Sequence, residues 1–279
     1  AEASRVPSPG EGAKHKAAER RRAQRVPMLF ENHDGCGDIL VRWGGVEFQV
    51  INTATNAFFA AAGLSVATRA VHPETRCNGV LLVVVAWFSS VYHATSTWGG
   101  FLLDIGSMAA WAAHLFATAQ LATQAIGGRF CFFPRPAERA AAAALLGAAA
   151  VSAPFFAFEA GGADPVTTWN IWANAFLVLI VAGMLPSLLQ VFFLGWLPRF
   201  LKRILFAIGI ILVGVVFTNL IHLLCVPGTF VAFPLHSGWH LCAALSAHWT
   251  VMLVDDAFTE GRNPSAAETP TSGKPIKGR

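Results

Sequence analysis

The sequence predicts an all-α membrane protein, a seven-transmembrane-helix bundle with its N-terminus luminal or external and its C-terminus cytoplasmic. Three observations predict this. Apolar residues make up 54% of the chain and charged residues only 13%, a balance for which a soluble domain has no use. Apolar runs near 20 residues long recur throughout, and each can cross about 30 Å of hydrocarbon at about 1.5 Å per residue. Basic residues collect in alternate loops, as they do on the cytoplasmic side of a membrane.

Residues 1–30 carry Arg20, Arg21 and Arg22 without an apolar core. They read as a disordered basic tail and contain no cleavable secretory signal. The apolar runs follow at Glu47–Thr68, Gly79–Thr97, Phe101–Thr123, Ala140–Phe158, Trp169–Trp196, Ile204–Cys225 and Leu235–Asp255. The fifth contains Pro186 and should kink or tilt. Short connections make residues 31–256 one bundle, and residues 257–279 read as a disordered cytoplasmic tail. Trp43, Trp169 and Trp196 stand at run ends, where interfacial anchors belong.

Loop charge sets the orientation. The connections after runs one, three and five carry Arg69 and Arg76, then Arg129, Arg135 and Arg139, then Arg199, Lys202 and Arg203. Those after runs two, four and six carry no Lys or Arg. The basic cluster at Arg20–Arg22 opposes this pattern, but it lies about 25 residues before the first run, where charge has less influence. A net charge of +4 placed this way argues for membrane orientation and against a nucleic-acid partner.

Five polar residues interrupt these runs: Ser89, His93 and Asp104, then His236 and His240. An ionisable group at the centre of a membrane helix costs about 2.5–3.5 kcal/mol on insertion scales, so it needs a partner. Ser89 and His93 are four apart and share a helix face, as do His236 and His240. The turn at Trp98-Gly99-Gly100 is expected to reverse the chain and return Asp104 to the depth of His93. The assigned topology puts all five in the external half. Three neutral imidazoles with an open fourth position describe a catalytic zinc site. Zinc lowers the pKa of a bound water toward about 7 and polarises a carbonyl. Asp104 would hold that water or act as its base, and Ser89 would orient it or stabilise a developing oxyanion.

Each histidine alone is more economically read as a hydrogen-bonded core residue. His114, His222 and His248 each lack a spaced partner and are assigned to packing or an interfacial position. Tyr92 is assigned to aromatic packing, and Asp255 and Asp256, ending the last run, to solvent. Five residues at matched spacing and depth are what lifts the first group above it.

The same residues resemble the signature of the superfamily of alkaline ceramidases, adiponectin receptors and Per1-like membrane hydrolases. Tyr92-His93-Ala94-Thr95 and Leu102-Leu103-Asp104 are similar to ceramidase text around the second and third spans. His236-Ser237-Gly238-Trp239-His240 is similar to the family's His-Ala-Trp-Trp-His run. Glu47-Phe48, Asn52-Thr53 and Asn56 give a looser likeness near the first span. The resemblance covers about Asp34 to Asp256. It implies a seven-helix zinc amidase cleaving ceramide to a sphingoid base and a fatty acid, with His93, His236 and His240 on zinc and Ser89 and Asp104 at the water. It also implies an endoplasmic reticulum or Golgi membrane.

Ceramidases bind calcium through an N-terminal acidic segment. Here Asp34-Gly35-Cys36-Gly37-Asp38 keeps part of that text, which makes Asp34, Asp38 and Glu47 candidate calcium ligands, against the reading of a solvated acidic loop. Cys36 and Cys225 fall on the external, oxidising side, where a disulfide can form, and the family has a similar link. Cys77 and Cys131 fall in cytoplasmic loops as free thiols. Two other readings carry weight: a Per1-like lipid ester hydrolase, and a receptor of the adiponectin or progestin type. Loop charge disfavours the receptor, and the text at Leu103-Asp104 disfavours Per1. A transporter would want broken helices and repeats.

Overall fold

A computed structural model describes residues 40–43, 46–129, 135–159, 183–224 and 233–262. Two short antiparallel strands come first, β1 (Leu40–Trp43) and β2 (Val46–Gln49), in a register that sets Leu40 opposite Gln49 and Trp43 opposite Val46. Among the described residues eight helices follow: α1 (Val50–Thr55), α2 (Ala57–Arg69), α3 (Pro73–Thr95), α4 (Trp98–Ala125), α5 (Pro136–Glu159), α6 (Gly183–Phe193), α7 (Leu197–Leu224) and α8 (Phe233–Arg262). Among the described residues, five stretches are long and apolar enough to cross a membrane: Val50–Arg69, Pro73–Thr95, Trp98–Ala125, Leu197–Thr218 and Leu235–Arg262.

Local chemistry sets the helix ends. Pro73 opens α3, where a missing N–H costs nothing and its fixed φ suits the first turn. His72 caps that end, its Nδ1 accepting from Glu74 N at 3.3 Å. At the other end Ser96 takes a left-handed conformation (φ 47°), and Thr97 caps α4 by accepting from Gly100 N at 3.1 Å. The chain therefore reverses at Ser96–Thr97, and Trp98-Gly99-Gly100 is already helical, contrary to the expected turn. Gly100 serves close packing instead: a Cβ there would lie 3.0 Å from Tyr92 Cα.

The helices are joined by small residues. α4 packs against α3, α5 and α8, α2 against α3 and α8, and α7 against α8. A Cβ on Gly63 would meet Gly79 O at 2.6 Å, and one on Gly79 would meet Ala67 N at 2.5 Å, so α2 and α3 touch backbone to backbone. α4 lies innermost and buries Ala109, Ala112, Ala113, Ala117, Ala119 and Ala122 along its length. One core joins Val66, Leu115, Val251, Val254 and Phe258, and a second joins Phe59, Leu82, Ala86, Ala244 and Ala247. Large apolar side chains also face outward, among them Trp87, Leu205, Phe206, Leu212 and Val216. The most apolar candidate span, in α7, is also the least buried. Apolar surface on that scale belongs against lipid.

Three further expectations are corrected. Glu47, placed at the start of the first span, belongs to β2, and the helix begins at Val50. The last helix runs to Arg262 instead of ending at Asp255, because Ala257 and Phe258 are buried and Phe258 stacks on His72 at 3.7 Å. Asp255 is accordingly not solvated: it is 4% exposed and accepts from Val71 N (2.9 Å) and His72 N (2.8 Å). Asp256 is half-buried and pairs with Arg203.

Candidate metal centre

His93 lies in the last turn of α3, while His236 and His240 stand one turn apart near the start of α8. The helices bring the three rings together. Centroids are 5.4 Å apart for His93–His236 and His93–His240, and 4.6 Å for His236–His240. One ring nitrogen from each lies within 4.8 Å of the others, and such a cluster could hold a metal ion. Tetrahedral zinc at about 2.0–2.1 Å from nitrogen sets ligand nitrogens about 3.3 Å apart. His236 Nε2 and His240 Nε2 are 3.0 Å apart, close to that separation. The donor set therefore fits. His93 and His240 are buried and His236 is partly so.

The sequence did not reveal what holds these rings. His93 Nδ1 faces Gln49 Oε1 at 2.8 Å, and His240 Nδ1 faces Thr55 Oγ1 at 2.8 Å. Both contacts leave Nε2 as the nitrogen toward the cluster, the arrangement metal-binding histidines use. Gln49 ends β2 and Thr55 ends α1. The only signal was a polar cluster, Gln49, Asn52, Thr53, Thr55 and Asn56, at the start of the first apolar run.

Ser89 and Asp104 are both buried. Ser89 lies on α3 one turn before His93, and Asp104 on α4 in its second turn. α4 packs on α3 there through Tyr92 and Phe101, whose ring centroids are 5.6 Å apart. Tyr92 is 2% exposed and packs as expected. The metal cluster itself consists of the three imidazoles. Glu47 is placed by its backbone alone, opposite Arg42. The remaining candidate calcium ligands Asp34 and Asp38, and the cysteines Cys36 and Cys225, lie outside the described residues, as does Cys131. Cys77 is free and exposed.

A second polar cluster lies at the opposite end of α3. Glu74 meets Arg139 Nη2 and lies 3.5 Å from His114 Nε2, whose Nδ1 faces Asn78 Oδ1 at 3.1 Å. Asn78 Nδ2 donates to Thr118 Oγ1 at 3.2 Å. His114 thus has polar partners after all, on another helix, where no sequence spacing reveals them. His248 contacts Trp249 and lies outside the metal cluster. Comparison with protein-family models and with curated proteins gives no match.

Proposed function

We propose that this chain is an intramembrane zinc-dependent amide hydrolase that cleaves a ceramide-like lipid to a sphingoid base and a free fatty acid. The observation that carries the reading is the convergence of His93, His236 and His240 inside an apolar helical protein. The resemblance to alkaline ceramidases supplies the substrate class and an endoplasmic reticulum or Golgi membrane, while the seven apolar runs and the loop charge supply seven spans and an external N-terminus.

His93, His236 and His240 would hold the ion, with Nε2 of His93 and His240 turned inward by their Nδ1 contacts. Zinc, when bound, supplies Lewis acidity toward the amide carbonyl and toward water. Asp104 takes the proton released as water oxygen bonds to the carbonyl carbon, then returns it to the amine nitrogen as the C–N bond breaks. Ser89 donates a hydrogen bond to the oxygen that gains charge. Burial of both side chains keeps these interactions in a low-dielectric setting, where each is worth more than in water.

An apolar groove of about 520 Å³ supports a lipid substrate. It runs between α3, α4 and α5 past Phe88, Leu102, Leu103, Gly106 and Ala148. The volume suits an alkyl chain. The test is mass spectrometry of ceramide incubated with purified protein in mixed micelles, with and without a metal chelator. Sphingoid base released in the metal-loaded sample and abolished by chelation is the expected result. Release of fatty acid from glycerolipid esters but not from ceramide would reassign the substrate to the Per1-like class. No release from either lipid would overturn the hydrolase reading.

A further inference from the structure

We infer that the segment Gln49–Thr55 is a positioning device for the metal centre, in which Gln49 and Thr55 fix the tautomer and direction of His93 and His240. The inference rests on the metal-site reading above and adds two residues outside the ligand set.

The hydrogen bonds are consistent with the same tautomer in both rings. Asn52 Nδ2 donates to Gln49 Oε1 at 2.9 Å, which identifies the oxygen end of the Gln49 amide. That same oxygen faces His93 Nδ1 at 2.8 Å, so His93 carries its proton on Nδ1. Thr55 Oγ1 donates its own proton to Asn52 O at 3.1 Å. With that proton on Asn52 O, Thr55 Oγ1 offers a lone pair to His240 Nδ1 at 2.8 Å, the arrangement in which His240 carries its proton on Nδ1. In both rings Nε2 is left as a lone-pair donor, the form a metal requires.

The helix hydrogen-bond ladder is interrupted at one residue here, with Asn56 still in the helical region (φ −63°, ψ −16°). In a continuous helix Asn52 O would accept from Asn56 N–H. Here it accepts from Thr55 Oγ1 and from Asn56 Nδ2 at 3.2 Å, and Asn56 N–H turns to Ala54 O. Side chains that compete for a backbone carbonyl interrupt helices, and α1 separates from α2 at this residue. Gln49 (3% exposed), Asn52 and Asn56 are all buried, so the cost of the break is met inside the protein. The break places Thr55 against α8 and Gln49 against α3, the two helices that carry the ligands.

The test is zinc affinity of the full-length protein in detergent, by competition with a chromogenic chelator at pH 8, with cobalt(II) absorption reporting ligand geometry. Thr55→Val and Gln49→Leu should each weaken zinc by about 10–100-fold, the range for loss of a partner behind a metal-bound histidine. Thr55→Ser should restore affinity to within about threefold of wild type, because it returns the acceptor without the methyl group. Gln49→Glu should bind zinc more tightly, because a carboxylate acceptor raises the basicity of His93. That variant decides the matter if either deletion fails to fold. Affinities of Thr55→Val and Gln49→Leu within twofold of wild type, with an unchanged cobalt spectrum, would overturn the inference; so would a Gln49→Glu affinity no tighter than wild type. A wild-type protein that takes up neither zinc nor cobalt would instead defeat the metal site itself.

Discussion

Asp255→Asn tests how the two ligand-bearing helices are joined. Asp255 is carried by α8, yet it accepts from the backbone N–H groups of Val71 and His72 at 2.9 and 2.8 Å, ahead of the first turn of α3. The substitution keeps one acceptor oxygen and turns an amide NH2 toward the other N–H. One charge-assisted hydrogen bond is lost and a buried donor is left facing a donor, which together cost about 2–3 kcal/mol. At about 2–4 °C per kcal/mol for a chain of this order of size, the unfolding midpoint should fall by about 4–12 °C. Differential scanning of the metal-free protein in detergent measures it. The neighbouring Asp256→Asn is the control. Asp256 is half-buried with Arg203 as partner, and such pairs contribute about 0–1 kcal/mol. Equal midpoints for Asp255→Asn and wild type, or equal losses from the two variants, would refute the capping role.

Three more outcomes are expected. His240→Ala should abolish both zinc uptake and lipid hydrolysis, whereas His248→Ala should leave both within about twofold, since His248 is outside the cluster; equal loss from both undermines the site. Asp104→Asn should keep zinc yet lower turnover by about 10²–10⁴-fold, the usual worth of a general base, and undiminished turnover removes its role. Burial, followed by the charge of Arg262, holds the His72 imidazole below its usual pKa, so the folded protein prefers it neutral. Its stabilising contribution is fully present above about pH 6.5 and is lost as pH falls toward the folded value, where the unfolded chain binds the extra proton. The unfolding midpoint should drop as pH falls below about 6.5, and His72→Asn, a cap that does not titrate there, should flatten that part of the curve.

What the sequence made legible follows from what repeats along a helix. The runs containing α3, α4, α7 and α8 show as apolar stretches, and His236 and His240 show as a pair because a helix face repeats every three to four residues. Partners on other helices leave no such trace. Glu74 with Arg139 and His114, and Asp255 with the α2–α3 connection, are contacts between segments distant in the chain. Asp255 misled for a second reason: a carboxylate after an apolar run looks like its solvated end, yet α8 continues to Arg262 on the buried side chains of Ala257 and Phe258. The Gly-Gly pair misled in the same way. Gly99 and Gly100 look like a turn, but close approach to Tyr92 is what requires Gly100. Gln49 and Thr55 were visible as polar residues in an apolar run, but no spacing links them to His93 or His240.

The ligand geometry depends on contacts a membrane thickness away. α3 and α8 meet at both ends: the backbone of His72 on Asp255, and the ring of His93 against His236. From His72 to His93 is 21 residues along α3, and from Asp255 back to His236 is 19 along α8. At about 1.5 Å per residue these lengths are about 32 and 29 Å, close to the hydrocarbon thickness of about 30 Å. Two antiparallel helices pinned at both ends over nearly equal lengths cannot slide by a turn, about 5.4 Å, without breaking one contact. Asp255 therefore holds α3 and α8, the helices that present His93, His236 and His240, in register without touching those residues. Gln49 and Thr55 act at close range on ring direction alone.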